Sequence, residues 1–142
     1  RCWNQALITM PPVAFSTIDH TDIAGLHGWA TAALDAMLAD DAVFHSPVVH
    51  TPQVGKAIVS KYLLSAAKVL NGDHFAYVRE LVDGDNALLE FVSEIDGIKI
   101  NGIDLIRFDE NGKIIDFKVM VRPIKAVNKL WEMMAAQLQA AG

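Results

Sequence analysis

Three closely spaced turn signals constrain the fold of this chain more than any other feature. They are Asp83-Gly84-Asp85, Asp96-Gly97 and Asn111-Gly112, and runs of alternating apolar and polar residues lie between them. Asp-Gly and Asn-Gly favour type I′ hairpin turns, because both central residues of such a turn need positive φ. The pattern therefore predicts a four-stranded antiparallel meander, with strands over about residues 74–82, 86–95, 98–108 and 114–122.

Helical periodicity precedes the meander. Thr21 or Asp22 can cap a first helix that ends at residues 40–41, and a second helix is predicted over about residues 55–70. A short strand over residues 42–46 is expected between the two helices. The predicted apolar stripe of the first helix consists of Ile23, Leu26, Ala30, Leu34, Met37 and Leu38.

After the meander, Pro123 can open a final helix that carries its own apolar stripe. Residues 1–20 show no clear periodicity, and we expect them to be loosely structured. A chain of 142 residues has about the size of one domain. We therefore predict a single α+β domain over residues 1–142, with an extra helix at its C-terminus.

The hairpins also determine which residues share a face of the sheet. Two-residue loops in the last two hairpins place Leu89 opposite Asp104, Asp104 opposite Val119, and Phe108 opposite Ile115. The face that carries these residues is almost wholly apolar and should be covered by the helices. The other face carries an apolar stripe that is too continuous for a free solvent surface. This outer stripe consists of Val92, Ile103, Leu105 and Met120.

Asp104 is the exception on the inner face. Burying an ionised carboxyl group without a partner is costly, so we expect Asp104 to be neutral, paired or beside a wet cavity. Its cross-strand neighbours Leu89 and Val119 are apolar, and burial should therefore raise its pKa. Asp104 is either a structural acid or a residue of a binding pocket.

The charge balance and the single cysteine restrict partners and cofactors. The chain has 12 Lys and Arg against 17 Asp and Glu, which argues against nucleic acid or an anionic membrane as its partner. No apolar stretch is long enough to span a membrane, so a cytoplasmic location is expected. One cysteine, Cys2, excludes an intramolecular disulfide and a cysteine-based zinc site. We expect neither a cofactor nor a metal.

Two stretches carry a resemblance to a known superfamily. Residues 37–47 (MLADDAVFHSP), followed by a helix, and residues 103–114 (IDLIRFDENGKI) resemble the nuclear-transport-factor-2-like superfamily. This superfamily includes ketosteroid isomerase, the SnoaL-like polyketide cyclases and limonene epoxide hydrolase, and the resemblance covers about residues 25–122. It implies a cystatin-like fold, in which a curved antiparallel sheet wraps on N-terminal helices around a conical pocket, and usually a homodimer.

The resemblance also implies roles for individual residues. Asp104 matches the protonated acid of ketosteroid isomerase, and Ser46 stands where that enzyme has its general-base Asp. The helix-one Tyr of that enzyme has no counterpart, because the only tyrosines are Tyr62 and Tyr77. Val119 stands where the cyclases and the epoxide hydrolase have a reactive Asp, which disfavours their chemistry here.

Histidines near the first strand and aromatic residues on the helices are further candidates. His45 and His50 flank Pro47, and either is a possible base near neutral pH or a packing residue. His45 should point away from the inner face if the strand is regular. The predicted ligand-binding residues are Trp29, Tyr62, Phe91, Phe117, Val119 and Val121. For Trp29 and Tyr62, which lie on predicted helices, core packing is the more common explanation.

Three functions are compatible with these residues. The first is a homodimeric protein that binds a small hydrophobic molecule and isomerises, dehydrates or cyclises it. In that case Asp104 is the acid or oxyanion donor, and His45 or Ser46 is its partner or holds a catalytic water. The second is a ligand-binding module without catalysis, and the third is a protein-interaction domain that uses its outer sheet face.

Overall fold

The computed structural model describes residues 34–70 and 74–141 of the chain. Residues 34–37 form a helical turn ahead of the first strand. The elements that follow are β1 (Leu38–His45), β2 (Gln53–Val54), α1 (Lys56–Leu70), β3 (Ala76–Asp83), β4 (Asn86–Ile95), β5 (Ile98–Phe108), β6 (Ile114–Arg122) and α2 (Ile124–Ala141). The predicted capping of the first helix and the loosely structured residues 1–20 lie outside the described residues.

The six strands of the described residues form one curved sheet in the order β2-β1-β6-β5-β4-β3. Strands β3 to β6 form the predicted antiparallel meander. Strand β1 extends the meander at its β6 edge, where it pairs in parallel with β6. The short strand β2 then pairs antiparallel with β1. The predicted α+β fold with a curved sheet and a C-terminal helix is therefore confirmed.

The register of the central hairpins agrees with the prediction. Leu89 lies opposite Asp104, and Asp104 lies opposite Val119. Asp96 and Gly97 have φ values of 52° and 79°. Two consecutive residues with positive φ are what a type I′ turn requires, and this turn sets the register of β4 against β5.

The last hairpin differs from the prediction. Phe108 pairs with Ile114 and not with Ile115, because the register shifts at the end of β5. The Asp109 side chain accepts a hydrogen bond from the backbone N–H of Lys113 at 2.9 Å, and the Asp109 N–H donates to the Lys113 carbonyl at 2.8 Å. This loop is therefore longer than two residues. As a consequence Ile114 is buried, whereas Ile115 is only partly buried.

The end of the predicted first helix was also wrong. Helical structure ends at Met37, and β1 begins at Leu38, earlier than the expected strand over residues 42–46. Leu38 pairs with Ile114 of β6, and the register then shifts before Val43. Residues 40–41, which resembled a helix stop, are the exposed residues of this irregular stretch. The short strand β2 was missed because two residues carry no periodicity.

Helices α1 and α2 cover one face of the sheet. Val59, Leu63 and Val69 of α1 are buried, as are Ala126 and Leu130 of α2. These side chains pack in two adjoining clusters with apolar residues of the sheet. The predicted inner face is thus the covered face, and it carries Asp104.

Candidate functional site

A cavity lies between the inner sheet face and the two helices. Its volume is about 80 Å³. A cavity needs only about 10–15 Å³ on the same measure to hold one water molecule. Among the described residues that line it, only Ser46, Tyr77 and Asp104 have polar side chains. Sites for small molecules have this composition, in which apolar walls exclude water and a few polar groups orient the ligand.

Asp104 projects from β5 into this cavity and is 9% exposed. Burial disfavours the charged carboxylate and raises its pKa from the ordinary 3.8 to about 7, although a hydrogen bond from Tyr77 lowers it in part. The side chain therefore exchanges its proton near neutral pH. This confirms the expectation that burial raises the Asp104 pKa.

Tyr77 of β3 is the partner of Asp104. Its hydroxyl group donates a hydrogen bond to Asp104 Oδ2 at 3.5 Å. Burial, followed by the charge of Asp104 and this hydrogen bond, raises the pKa of the Tyr77 phenol well above its usual value. Tyr77 consequently stays protonated at neutral pH and is a hydrogen-bond donor in the cavity. Sequence reasoning missed this residue.

Phe75, Tyr77 and Phe91 form an aromatic wall of the cavity. The Phe91 ring is stacked on Phe75 with centroids 5.4 Å apart, and Phe75 meets Tyr77 edge to face at 5.1 Å. Gly102 makes room for this wall, because a Cβ there would overlap the Phe91 ring and approach the Met120 carbonyl oxygen to 2.8 Å. Gly102 and Asp104 are two residues apart on one strand, so their side-chain positions share a face.

Ser46 lies at the end of β1 and also lines the cavity. Its Oγ accepts hydrogen bonds from the N–H groups of Val48 at 3.1 Å and Val49 at 3.3 Å. The hydroxyl oxygen thus holds the loop that follows β1. What Ser46 can offer a ligand is a hydrogen-bond donor and not a basic group.

His45 is not brought together with Asp104. The alternation of side chains along β1 places Phe44 against the cavity and His45 on the opposite face, where His45 Nε2 lies 2.9 Å from Asp116 Oδ1. The hypothesis that His45 is the partner of Asp104 is therefore wrong. His50 is exposed and does not line the cavity either.

The predicted ligand-binding residues divide into two groups. Phe91, Phe117 and Val119 line the cavity. Tyr62 packs on the Phe44 ring at 5.6 Å, and Val121 packs in the core near α2, so neither lines it. Trp29 lies outside the described residues.

Within the described residues, no group of three or more His, Cys, Asp or Glu side chains has a geometry that could hold a metal ion. The prediction that the site works without a metal remains a prediction. None of the described helices is long and apolar enough to cross a membrane.

A family model described as a SnoaL-like domain matches residues 23–117. The chain belongs to the SnoaL-like domain family. This places it in the nuclear-transport-factor-2-like superfamily, as the two sequence stretches indicated. A search of curated proteins found no match to this SnoaL-like domain.

Solved structures support the same assignment. A steroid delta-isomerase from Pseudomonas aeruginosa is 39% identical, with a TM-score of 0.74 over 82% of this chain and 86% of that one. An uncharacterised protein with a cystatin-like fold from Silicibacter pomeroyi is 32% identical, with a TM-score of 0.71 over 75% and 74% of the two chains. An NTF2-like protein of unknown function from Mesorhizobium loti, 21% identical with a TM-score of 0.63 over 87% and 95%, shares the fold.

Proposed function

We propose that this SnoaL-like domain binds a small, largely hydrophobic molecule with a carbonyl oxygen. The observation that carries the proposal is the Tyr77–Asp104 pair, which provides two adjacent hydroxyl donors. The other described residues that line the cavity are apolar except for Ser46. Tyr77 is protonated at neutral pH, and Asp104 is protonated below about pH 7. Donors in such a dry site interact more strongly with a ligand oxygen than donors in water do.

The spacing of the two donors fits one shared acceptor. Tyr77 Oη and Asp104 Oδ2 are 3.5 Å apart. An oxygen placed about 2.7 Å from each, the usual distance of an O–H···O hydrogen bond, completes an acute triangle with them. In the free protein Tyr77 donates to Asp104, and on binding its hydroxyl hydrogen turns to the ligand oxygen.

The binding experiment compares ligands of equal shape. Cyclohexanone and methylcyclohexane are titrated into the protein at pH 5.5, and chemical-shift changes of the cavity methyl groups are followed by NMR. We expect cyclohexanone to bind about tenfold more tightly, which corresponds to one net hydrogen bond of about 1.4 kcal/mol.

The variants Asp104→Leu and Asp104→Asn distinguish the polar contact from simple burial. Asp104→Leu should reduce the preference for the ketone, because only the Tyr77 hydroxyl group remains to donate, whereas Asp104→Asn should retain more of it, because the amide N–H₂ still donates. Equal affinity for ketone and hydrocarbon in the unmodified protein would refute the proposal. So would an unchanged preference in Asp104→Leu.

Isomerisation of an unsaturated ketone is a second candidate, favoured by the 39% identity to a steroid delta-isomerase. Of the described side chains that line the cavity, only the Asp104 carboxylate offers a base. It would take the proton from the carbon between the carbonyl group and the double bond, and return it to the far end of that bond. Tyr77 would donate to the carbonyl oxygen meanwhile. A pKa near the working pH suits a group that both accepts and returns a proton.

This reaction has a direct optical test. Conversion of 3-cyclohexenone into the conjugated 2-cyclohexenone increases the ultraviolet absorbance. The rate should rise with pH through about 7 as Asp104 ionises, and Asp104→Asn should remove it. A binding module without catalysis would bind the ketone and give no absorbance change beyond that of buffer.

A further inference from the structure

The Asp104 carboxyl group has no cationic partner in the described part of the cavity. The lining residues contributed by α1 and α2 are apolar: Leu63, Ala66, Ala67, Leu70, Leu130 and Met134. Those from β1, β4 and β6 are apolar as well, and Tyr77 is the one other titratable group among the described lining residues. When Asp104 ionises, the Tyr77 hydroxyl group is therefore the one described side chain that donates a hydrogen bond to its negative charge.

We propose that the cavity also binds small hydrophobic amines as their ammonium ions, with the Asp104 carboxylate as counter-ion. A buried carboxylate is costly because it lacks a partner, and a cationic ligand supplies that partner. Tyr77 donates to Oδ2, which leaves Oδ1 to accept a charge-assisted N–H···O hydrogen bond from the ammonium group. The hydrophobic part of the amine then fills the apolar remainder of the cavity.

The aromatic wall that lines the same cavity as Asp104 supports the same ligand class. Phe75, Tyr77 and Phe91 form a continuous group of rings, with centroid distances of 5.1 Å and 5.4 Å. The face of an aromatic ring attracts a cation within about 6 Å, and the attraction increases when water is excluded. A carboxylate with adjoining rings is an arrangement that recognises an organic cation better than a neutral molecule.

Amine and ketone need opposite protonation states of Asp104. The ketone binds the neutral acid, whereas the ammonium ion binds the carboxylate. Because the pKa of Asp104 is about 7, amine affinity should rise as pH increases through that value and stay level until the amine itself loses its proton. Ketone affinity should fall over the same range. Tyr77, the titratable group that faces Asp104, remains protonated throughout.

The experiment uses cyclohexylamine, cyclohexanone and methylcyclohexane as probes of one size, titrated at pH 5.5 and pH 8.5. Cyclohexylamine should bind about 30-fold more tightly at pH 8.5, since the ionised fraction of a group with pKa near 7 rises by that factor. Asp104→Asn should lose this increase. Asp85→Asn, which makes the same substitution at an exposed turn outside the cavity, should keep it.

The outcomes separate this inference from the proposed function. If cyclohexanone binds and cyclohexylamine does not, the amine site is refuted and the ketone site stands. Amine binding that is independent of pH, or unchanged in Asp104→Asn, also refutes the amine site. If only the amine binds, the ketone proposal fails and the amine site stands. If all three probes bind equally at both pH values, both proposals fail.

Discussion

Tyr77 on β3 donates a hydrogen bond to Asp104 on β5 across the intervening strand β4. The two residues are 27 positions apart in the sequence, and both line the same cavity, Asp104 buried and Tyr77 partly buried. This relationship couples the two titrations. The Tyr77 hydroxyl lowers the pKa of Asp104, and the Asp104 charge raises the pKa of Tyr77. The chemistry of the site therefore belongs to the pair.

Tyr77→Phe should raise the pKa of Asp104 further above 7. The substitution removes the hydrogen bond from Tyr77 that stabilises the carboxylate, and leaves the burial that destabilises it. The carboxyl carbon shift of Asp104, followed by NMR against pH, measures the change. Tyr62→Phe serves as the matched control, because Tyr62 packs on Phe44 and does not line the cavity. An Asp104 pKa that stays the same or falls in Tyr77→Phe would contradict this account.

The position of Tyr77 shows why part of the site could not be predicted. Counting back from the Gly84-Asp85 turn in a regular hairpin places Tyr77 opposite Val92, on the outer face. In the structure a register shift between Tyr77 and Arg79 pairs Tyr77 with Phe91 on the inner face. One extra residue in a strand reverses the faces of everything beyond it. No residue type in the sequence marks this bulge.

Other parts of the site followed directly from the sequence. Asp104 was identified because the hairpin turns determine its register against Leu89 and Val119, and both pairings are present. Hairpin chemistry is local, so it can be interpreted from neighbouring residues. The parallel pairing of β1 with β6 is a contact between distant segments, and no local signal specifies it.

Gly102→Ala should destabilise the fold by about 1–3 kcal/mol, the usual cost of overpacking a filled core. The added methyl group overlaps the Phe91 ring and approaches the Met120 carbonyl oxygen. Urea unfolding monitored by circular dichroism measures the loss. In a Phe91→Leu background, Gly102→Ala should lower the free energy of unfolding by less than it does in the unmodified protein, because the ring that the methyl group overlaps is absent. Equal costs in both backgrounds would mean that the ring does not occupy this space.

We propose that the protein dimerises through its outer sheet face, through the terminal helix α2, or through both. Val92, Ile103 and Leu105 of the outer stripe are only partly buried, and Met120 is 49% exposed. We expect sedimentation at micromolar concentration to give about twice 15.5 kDa. Leu105→Glu should weaken the dimer, because a charge in the core of an interface is strongly unfavourable.

A control separates this interface from a general effect of added charge. Val54→Glu introduces the same charge at an exposed apolar residue of β2, at the edge of the sheet. This variant should sediment like the unmodified protein. A monomeric unmodified protein would refute the dimer, and dissociation by Val54→Glu alone would place the interface elsewhere.

The stability of the protein should fall between about pH 4 and pH 7 because of Asp104. Its pKa is raised from 3.8 to about 7 in the folded state, so the folded chain binds this proton more tightly than the unfolded chain does. The contribution is favourable at low pH and decreases as pH rises from the unfolded pKa to the folded pKa.

A shift of this size corresponds to about 4 kcal/mol. Asp104→Asn, which does not titrate, should therefore gain about that much relative to the unmodified protein between pH 4 and pH 7.5. Urea midpoints measured for both proteins at several pH values test this. Parallel pH profiles would show that Asp104 titrates alike in the folded and unfolded chains.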